Sequence, residues 1–250
     1  MNKRTSYFTL LLVLLFILIA INYKSLNGFA EKTFINYEEG VVERVVDGDT
    51  LIINNQSVRL LGINTPERGE KYYAEAKKFL EEQTLNKTVK IYFGKDKYDL
   101  YNRMLGYIYL EGENINELIV KQGYANIYFP SGKDSYYSSF YSAWTECLSK
   151  NINLCEKSQH KCVFCIETEL KVDEQLVILA NNCDFSCDLT DWTIKDEGRK
   201  KYTFEKTILQ SNEVINIYSK DFNQKYVWTK AGDSVFIRDS EDKLVLWISY

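Results

Sequence analysis

The stretch VVDGDTLIINNQSVRLLGINTPE, from Val45 to Glu67, decides the fold of the first half of the chain. Its β-branched residues cluster on both sides of the turn 47–49, and the polar run 54–56 is typical of a β-hairpin turn. Pro66 ends the last strand, because proline cannot donate to a sheet ladder. Two aspartates, one arginine and one glutamate nevertheless interrupt strands with an otherwise buried pattern, which indicates a functional site on a β-structure.

A helix, two strands and two further helices are predicted after this stretch. The predicted helices cover 72–85, 115–122 and 136–150, and the predicted strands cover 89–93 and 104–110. Apolar residues at helical spacing support the first helix, and Gly123 ends the second. This order of elements matches a five-stranded barrel of the OB type with three helices, so the predicted fold class is mainly β with α.

The second half of the chain has a different pattern, with short predicted strands about ten residues apart and no predicted helix after Cys162. This pattern is typical of a β-sandwich. The predicted strands cover 176–179, 192–195, 201–204, 213–218, 234–238 and 243–250.

The N-terminus has the pattern of a segment that directs export. Two cations at Lys3 and Arg4 precede an apolar run over 7–21, and a small-x-small cleavage site ends at Ala30. We therefore predict that residues 1–30 form a signal peptide or an uncleaved membrane anchor. Both alternatives place the rest of the chain outside the cytoplasm, either secreted or membrane-anchored.

All six cysteines lie in the second half, and an even count in an exported chain favours disulfides. The pairs Cys162–Cys165 and Cys183–Cys187 also have the spacing of zinc ligands, so a zinc site is the alternative. The sequence does not indicate how the cysteines pair.

The net charge of −4 gives neither half a strongly basic surface, so a nucleic acid would have to bind at a local cluster or through a bound cation. His160 is the only histidine, which excludes mechanisms that need a histidine pair or triad in the first half. The sequence also contains no Gly-rich phosphate loop. Carboxylates, arginines and a metal ion remain as candidate chemistry.

These remaining groups fit one kind of reaction. The turn 47–49 supplies two carboxylates, Arg59 lies in the next strand, Asn-Thr-Pro-Glu follows at 64–67, and Arg103 begins a later strand. A carboxylate, an amide oxygen and a backbone carbonyl suit a hard cation such as Ca²⁺. Two arginines in the same pocket would bind phosphate oxygens and stabilise a pentacovalent transition state. The combination predicts phosphodiester chemistry.

Four motifs follow one another in a specific order: DGDT at 47–50, RLLGINTPE at 59–67, Arg103 with LGYIY at 105–109, and NELIVKQGYA at 116–125. With these motifs, residues 38–150 resemble the staphylococcal nuclease (thermonuclease) family. The resemblance implies an OB barrel and a Ca²⁺-dependent nuclease that acts on DNA and RNA. Such an enzyme leaves 3′-phosphates and 5′-hydroxyls.

The resemblance also implies a metal site. Asp49 would bind Ca²⁺ through its carboxylate, Thr65 through its backbone carbonyl and Asn64 through its amide oxygen, while Asp47 would lie behind these ligands. The prototype of the family has Asp where this chain has Asn64. The amide oxygen can still coordinate, but one negative charge is lost, so we expect Ca²⁺ to bind more weakly.

The implied catalytic residues are Glu67, Arg59 and Arg103. Glu67 would orient or deprotonate the attacking water, and the two arginines would neutralise the phosphate, with Arg103 also assisting the departing 5′-oxygen. Tyr101 matches a phosphate-contacting tyrosine of the family. Leu100 stands where the family has a phosphate-binding lysine, and Asn102 replaces a glycine, so tight binding of a nucleotide 5′-phosphate is not expected. A weak or inactive cell-surface module for nucleic-acid binding or attachment is therefore the alternative function.

The motifs VILANN at 177–182, DLTDWTIKD at 188–196 and GDSVFIRD at 232–239 give residues 171–250 a resemblance to the lamin tail domain. That likeness implies an immunoglobulin-like sandwich with Trp192 buried between its sheets. It indicates a binding or tethering accessory without catalytic residues and does not imply a ligand. A Cys-rich connector over 151–170 separates it from the predicted nuclease-like domain.

Overall fold

The computed structural model of the protein describes residues 12–13 and 37–250. The predicted signal peptide or anchor over 1–30 lies outside the described residues except for Leu12 and Val13. Within the part of the chain that is described, no helix combines the length and the apolar character needed to cross a bilayer.

The first part of the described chain is a closed β-barrel with three helices. The sheet order is β3-β2-β1-β5-β6, and a parallel pairing of β3 with β6 closes the barrel. This confirms the predicted five-stranded barrel with three helices. The elements are β1 Tyr37–Asp47, β2 Thr50–Ile53, β3 Gln56–Leu60, β4 Gly62–Asn64, α1 Tyr73–Thr84, β5 Thr88–Tyr98, β6 Met104–Leu110, β7 Glu113–Asn114, α2 Ile115–Lys121, β8 Asn126–Tyr128 and α3 Tyr137–Lys150.

Local sequence explains the turns and caps that shape this barrel. Asn54 and Asn55, between β2 and β3, both have positive φ (48° and 61°), as a tight hairpin turn of the primed type requires. Asn114 caps α2 by accepting a 3.3 Å hydrogen bond from the backbone N–H of Glu117. Gly123 follows the helix with φ 70°, the left-handed conformation that favours glycine after a helix.

The aromatic face of α3 belongs to the hydrophobic core. The side chains of Phe140 and Trp144 are fully buried, and Tyr136 stacks on Tyr107 at a centroid distance of 3.8 Å. The burial of these aromatic side chains favours a role in packing the core over a role in stacking on nucleic-acid bases. Aromatic side chains of this size contribute about 1.5–3 kcal/mol each when fully buried.

The C-terminal sandwich, residues 166–249, consists of short strands in a three-stranded sheet (β15-β10-β9), a four-stranded sheet (β13-β12-β16-β17) and a small β11-β14 pair. One core joins them, with Val177 from the first sheet, Ile194 from the second, and Trp192, which is 1% exposed. The β-sandwich prediction is thereby confirmed, while the likeness to the lamin tail domain stays a prediction. The strands are β9 Ile166–Lys171, β10 Leu176–Asn181, β11 Cys187–Asp188, β12 Thr193–Lys195, β13 Lys201–Thr203, β14 Ile208–Leu209, β15 Val214–Tyr218, β16 Ser234–Arg238 and β17 Leu244–Ser249.

All six cysteines form disulfides, which confirms the first of the two alternatives. Three sulfur atoms, those of Cys162, Cys183 and Cys187, lie within 4.8 Å of one another, but each belongs to a disulfide and none is a free thiolate for zinc. Two of the disulfides tie the segment after α3 to the sandwich, and the third closes the end of α3. The pairs are Cys147–Cys155, Cys162–Cys187 and Cys165–Cys183.

The barrel and the sandwich share a hydrophobic seam. Trp144 of α3 contacts the rings of Phe236 and Trp247 edge-on, at centroid distances of 5.7 and 5.9 Å. Phe236 and Leu244 are buried in the same core cluster as the barrel residues. The seam therefore fixes one face of the sandwich against the barrel and brings the hairpin between β12 and β13 to the predicted site.

Candidate active site

The turn 47–49 lies close to the strand end that carries Thr65. A Cβ atom on Gly48 would lie 2.9 Å from the Cβ atoms of both Thr65 and Ala76, so only glycine allows this close approach. Asp47 accepts a 3.2 Å hydrogen bond from the backbone N–H of Asp49, which holds the turn. Burial raises the pKa of the Asp47 carboxyl, and the neighbouring charge of Asp49 adds to this effect.

Asp49 and Arg59 form a buried ion pair at the centre of the site. Arg59 Nη2 lies 2.9 Å from Asp49 Oδ2, and the two side chains are 10% and 6% exposed. Arg59 also donates hydrogen bonds to the carbonyl oxygens of Leu60 (2.5 Å) and Ile63 (2.9 Å). One guanidinium group thus joins the Asp49 carboxylate to the turn between β3 and β4.

Gly62 makes that turn possible. Its φ is 77°, and a Cβ atom there would lie 2.9 Å from the ring of Phe140. β4 therefore leaves the barrel sheet and pairs with β8, with Asn64 opposite Asn126. Thr65, which follows β4, lies beside Asp49, because its backbone N–H donates to Asp49 Oδ2 at 3.3 Å.

Asn64 is buried, and its side chain contacts the C-terminal sandwich. Asn64 Nδ2 donates a 2.9 Å hydrogen bond to the carbonyl oxygen of Gly198, which lies 134 residues further along the chain. Because a carbonyl oxygen only accepts hydrogen bonds, the amide nitrogen must face Gly198. The amide oxygen, the atom that could bind a cation, therefore faces away from Gly198.

Glu67 follows Thr65 by two residues and is paired with a residue of the sandwich. Arg199 Nε lies 2.6 Å from Glu67 Oε1, and these side chains are 67% and 46% exposed. The backbone N–H of Glu67 donates to Glu70 Oε2 at 2.8 Å. Glu70 in turn lies 3.6 Å from Lys195 Nζ and 3.2 Å from Lys201 Nζ.

The charge state of Glu70 reflects these contacts. Partial burial acts to raise the pKa of its carboxyl, but the charge of Lys195 and the hydrogen bonds from Glu67 and Lys201 outweigh this, so the net pKa is lowered. Glu70 is therefore held in its ionised form between two lysines of the β12–β13 hairpin.

Arg103 and Tyr101 lie in the loop that leads into β6. Arg59 and Leu105 are paired across the parallel strands β3 and β6, and Arg103 lies two residues before Leu105. Arg103 Nε pairs with Asp99 Oδ2 at 2.7 Å. Within residues 37–250, no hydrogen bond or ion pair joins Arg103 to Asp49 or Arg59, and its Nη atoms make no hydrogen bond. Tyr101 is 82% exposed, and its ring centroid lies 5.6 Å from the Arg103 guanidinium carbon.

A second cluster of carboxylates includes Asp196 and Glu197 of the hairpin itself and the neighbouring Asp233. Burial raises the pKa of Asp196 to about 6, with a further contribution from the charge of Asp233, and burial raises the pKa of Glu197 to about 7. Glu197 accepts hydrogen bonds from the backbone N–H of Phe129 (3.1 Å) and from Ser234 Oγ (2.7 Å). Glu197 thus bridges β16 of the sandwich to the segment after β8 of the barrel.

The donors around Asp49 suit a hard cation that is held weakly. A carboxylate offers about four lone-pair positions. Asp49 Oδ1 accepts from Thr50 Oγ1 at 3.0 Å, and Oδ2 accepts from Arg59 and from the N–H of Thr65, so one position on Oδ1 is left. That oxygen, the amide oxygen of Asn64 and the carbonyl of Thr65 are the kind of ligands that Ca²⁺ binds. The positive charge of Arg59 reduces the attraction of this site for a cation.

Comparison with known proteins supports the assignment to a family. Residues 57–157 match the family model described as "Staphylococcal nuclease homologue". This segment is similar to the staphylococcal nuclease family. The predicted enzyme class, a nuclease hydrolase, is confirmed at the level of this family.

Three relatives illustrate the similarity of the nuclease domain. A thermonuclease of Staphylococcus intermedius is 29% identical over 167 residues, which cover 62% of this chain and 99% of that protein. A thermonuclease of Staphylococcus hyicus is 35% identical over 98 residues (35% and 58%), and the endonuclease YncB of Bacillus subtilis (strain 168) is 30% identical over 131 residues (47% and 61%). The chain spans less than two thirds of the length of the last two.

The structure adds four residues next to the nuclease domain that the sequence did not indicate. Gly198 and Arg199 contact the predicted site residues Asn64 and Glu67 directly, while Lys195 and Lys201 hold Glu70. In the sequence, Arg199-Lys200-Lys201 after a glycine is typical of a solvated hairpin tip. No local signal connects it to residues that are more than a hundred positions earlier.

Proposed function

We propose that this protein is an exported nuclease that hydrolyses phosphodiester bonds of DNA or RNA with the help of a divalent cation, Ca²⁺ by the chemistry of its oxygen donors. One observation supports this most: the buried Asp49 carboxylate pairs with Arg59 and accepts a hydrogen bond from the backbone N–H of Thr65, between the buried Asn64 and the more exposed Glu67 along the chain. Three disulfides support an oxidising location outside the cytoplasm.

The residues of this chain divide the work as follows. The ligands for the cation are Asp49, Asn64 and Thr65. The Asp47 carboxylate positions Asp49 by accepting a hydrogen bond from the backbone N–H of Asp49. When bound, Ca²⁺ would supply positive charge next to the phosphate, as metal ions do in phosphoryl transfer.

Glu67 accepts the proton of the attacking water, because its carboxylate is open to solvent at 46% exposure. Arg59 and Arg103 bind the phosphate oxygens and stabilise the added negative charge of the transition state. The Nη atoms of Arg103 can donate to phosphate, since only its Nε pairs with Asp99. Tyr101 contacts the phosphate from the exposed loop. Water attacks the phosphorus, the bond from phosphorus to the 5′-oxygen breaks, and this oxygen takes up a proton from solvent, so one product carries a 3′-phosphate and the other a 5′-hydroxyl.

The proposal is tested with the full-length protein and end-labelled single-stranded DNA or RNA, in Ca²⁺ or in EGTA. We expect cleavage in Ca²⁺ only, with products that a 3′-extending polymerase uses only after phosphatase treatment. Glu67→Gln and Arg59→Ala should reduce the rate by about 10²-fold or more. Arg44→Ala removes an exposed arginine on β1 and serves as the control with wild-type activity.

Cleavage that persists in EGTA would contradict the role of the metal. Binding of DNA without cleavage in any condition would contradict the enzyme and favour the alternative of a cell-surface binding or attachment module. That alternative has its own support, since Leu100 is fully exposed where a phosphate-binding lysine stands in the family.

A further inference from the structure

The segment 64–71 of the nuclease domain is held from the C-terminal sandwich at successive points. The contacts combine a hydrogen bond from a buried amide, ion pairs to two carboxylates and a hydrogen bond from a lysine. All but the last come from the hairpin between β12 and β13, residues 195–201. The contacts are Asn64 with Gly198, Glu67 with Arg199, Glu70 with Lys195 and Lys201, and Lys71 with Glu241.

Glu67 is restrained in two ways by this hairpin. Its side chain pairs with Arg199 at 2.6 Å, and among residues 37–250 no other cation lies within ion-pair distance of it. Its backbone is held indirectly, because its N–H donates to Glu70 Oε2 while the N–H of Glu70 donates to the carbonyl of Glu67, each at 2.8 Å. Lys195 and Lys201 fix the Glu70 carboxylate that closes this loop.

We propose that the β12–β13 hairpin of the sandwich is a positioning element of the nuclease site, and that Arg199 is the residue that orients the Glu67 carboxylate. The inference rests on the proposed function, in which Glu67 accepts the proton of the attacking water. It gives the sandwich a role within its own chain.

The solvent exposure of the Arg199–Glu67 ion pair indicates whether Arg199 positions the Glu67 carboxylate or inhibits it. Arg199 and Glu67 are 67% and 46% exposed, and ion pairs of this kind are weak and easily broken by a competing charge. The pair is too weak to block Glu67 against a bound substrate. It does limit the rotamers of a side chain that would otherwise move freely in solvent, and a group held near its reactive geometry reacts faster.

A direct role of Arg199 in binding phosphate predicts a different result. Its Nε is used by Glu67, so an arginine that moved to the substrate would affect binding more than turnover. Positioning instead affects the step in which Glu67 takes the proton, which appears in kcat.

The test measures kcat and KM of the full-length protein for a single-stranded DNA substrate in Ca²⁺, with Arg199→Ala, Arg199→Lys and the control Arg44→Ala. We expect Arg199→Ala to lower kcat about five- to tenfold with KM within twofold of wild type. Arg199→Lys retains a charge that can pair with Glu67 and should recover most of kcat. Unchanged kcat, a rise in kcat, or a rise in KM alone would each overturn the proposal.

A second measurement does not depend on activity. Hydrogen exchange of the backbone amides of Glu67 and Glu70 is compared between wild type and Lys195→Met/Lys201→Met, with Lys225→Met as the control. We expect these amides to exchange about tenfold faster only in the double variant, and equal rates would overturn the proposal. If the wild-type protein proves inactive but the exchange changes as expected, the proposed function has failed while the contact of the hairpin with this segment stands.

Discussion

Asn64 Nδ2 donates a 2.9 Å hydrogen bond to the carbonyl oxygen of Gly198, so a predicted metal ligand of the barrel is bound to the hairpin of the sandwich. The bond gives a physical reason for an amide at this position. A carboxylate has no hydrogen to donate, and its oxygen would face the Gly198 oxygen in a buried site. With Asn64 in place of an aspartate, the site has one negative charge less to attract the cation. In return, the Asn64 amide connects the barrel to the sandwich.

Asn64→Asp is expected to bind Ca²⁺ more tightly and to fold less stably. The added charge favours the cation, while the lost donor leaves the Gly198 carbonyl unsatisfied, at a cost of about 1–3 kcal/mol. Calorimetric Ca²⁺ titration and urea unfolding in EGTA measure the two effects. Asn64→Ala is the matched control, since it should lose stability without gaining affinity. An Asn64→Asp variant as stable as wild type would show that the bond to Gly198 contributes nothing.

Arg59→Ala is expected to lower the free energy of unfolding by about 3–5 kcal/mol. It leaves the carboxylate of Asp49 buried without its ionic partner, which costs more than the ion pair itself contributes. Asp49→Asn/Arg59→Met removes both charges and should recover part of this loss. Urea unfolding gives the values, and Arg44→Ala, at an exposed position, should stay within about 0.5 kcal/mol of wild type. Equal stabilities of the single and double variants would contradict this account.

Stability is expected to fall as the pH rises from about 4.5 to about 7. The pKa of Glu197 is raised to about 7 by burial, so the folded state retains a proton that the unfolded chain has already released in this range. The contribution of Glu197 to the free energy of unfolding is thus fully present below the pKa that this group has in the unfolded chain. It is lost as the pH rises through the pKa that the group has in the folded protein. Asp196, whose burial raises its pKa to about 6, acts in the same direction.

Thermal unfolding of the wild type and of Glu197→Gln between pH 5 and pH 8 measures this dependence. Glutamine can keep the bonds to the Phe129 N–H and to Ser234 Oγ without a titrating proton. We expect the variant to lose less stability than wild type as the pH rises, by an amount on the order of 3 kcal/mol. Parallel curves for the two proteins would contradict the assignment to Glu197.

Cys162→Ser/Cys187→Ser is expected to lower the free energy of unfolding by about 3 kcal/mol. The disulfide joins residues 25 positions apart and restricts the unfolded chain by closing that loop. Cys147→Ser/Cys155→Ser opens a shorter loop, with a separation of 8, and should cost less. Urea unfolding under non-reducing conditions compares the two. A larger loss for the shorter loop would show that native packing, rather than loop closure, dominates.

The sequence by itself determined the barrel and most of its elements. Asn54-Asn55 indicated the hairpin, and Gly123 indicated the end of α2, because turn and cap residues act within a few positions of the chain. The short pair β4–β8 and the two-residue strands β11 and β14 were not predicted, since two or three residues cannot show a hydrophobic period. Strand β9, Ile166–Lys171, was also missed: it begins inside the predicted connector 151–170, and none of its residues is fully buried. The order of the motifs also indicated the site residues, whose roles stay predictions.

Tertiary structure alone decided how the cysteines pair and which residues of the sandwich meet the nuclease domain. Cysteine pairing depends on which chain segments become neighbours after folding. The contact of Arg199 with Glu67 and of Gly198 with Asn64 depends on the hydrophobic seam around Trp144 and Phe236, which sets the sandwich on the barrel. A side chain's local sequence carries no information about a partner that lies more than a hundred residues away, because packing of whole sheets and helices brings the two together.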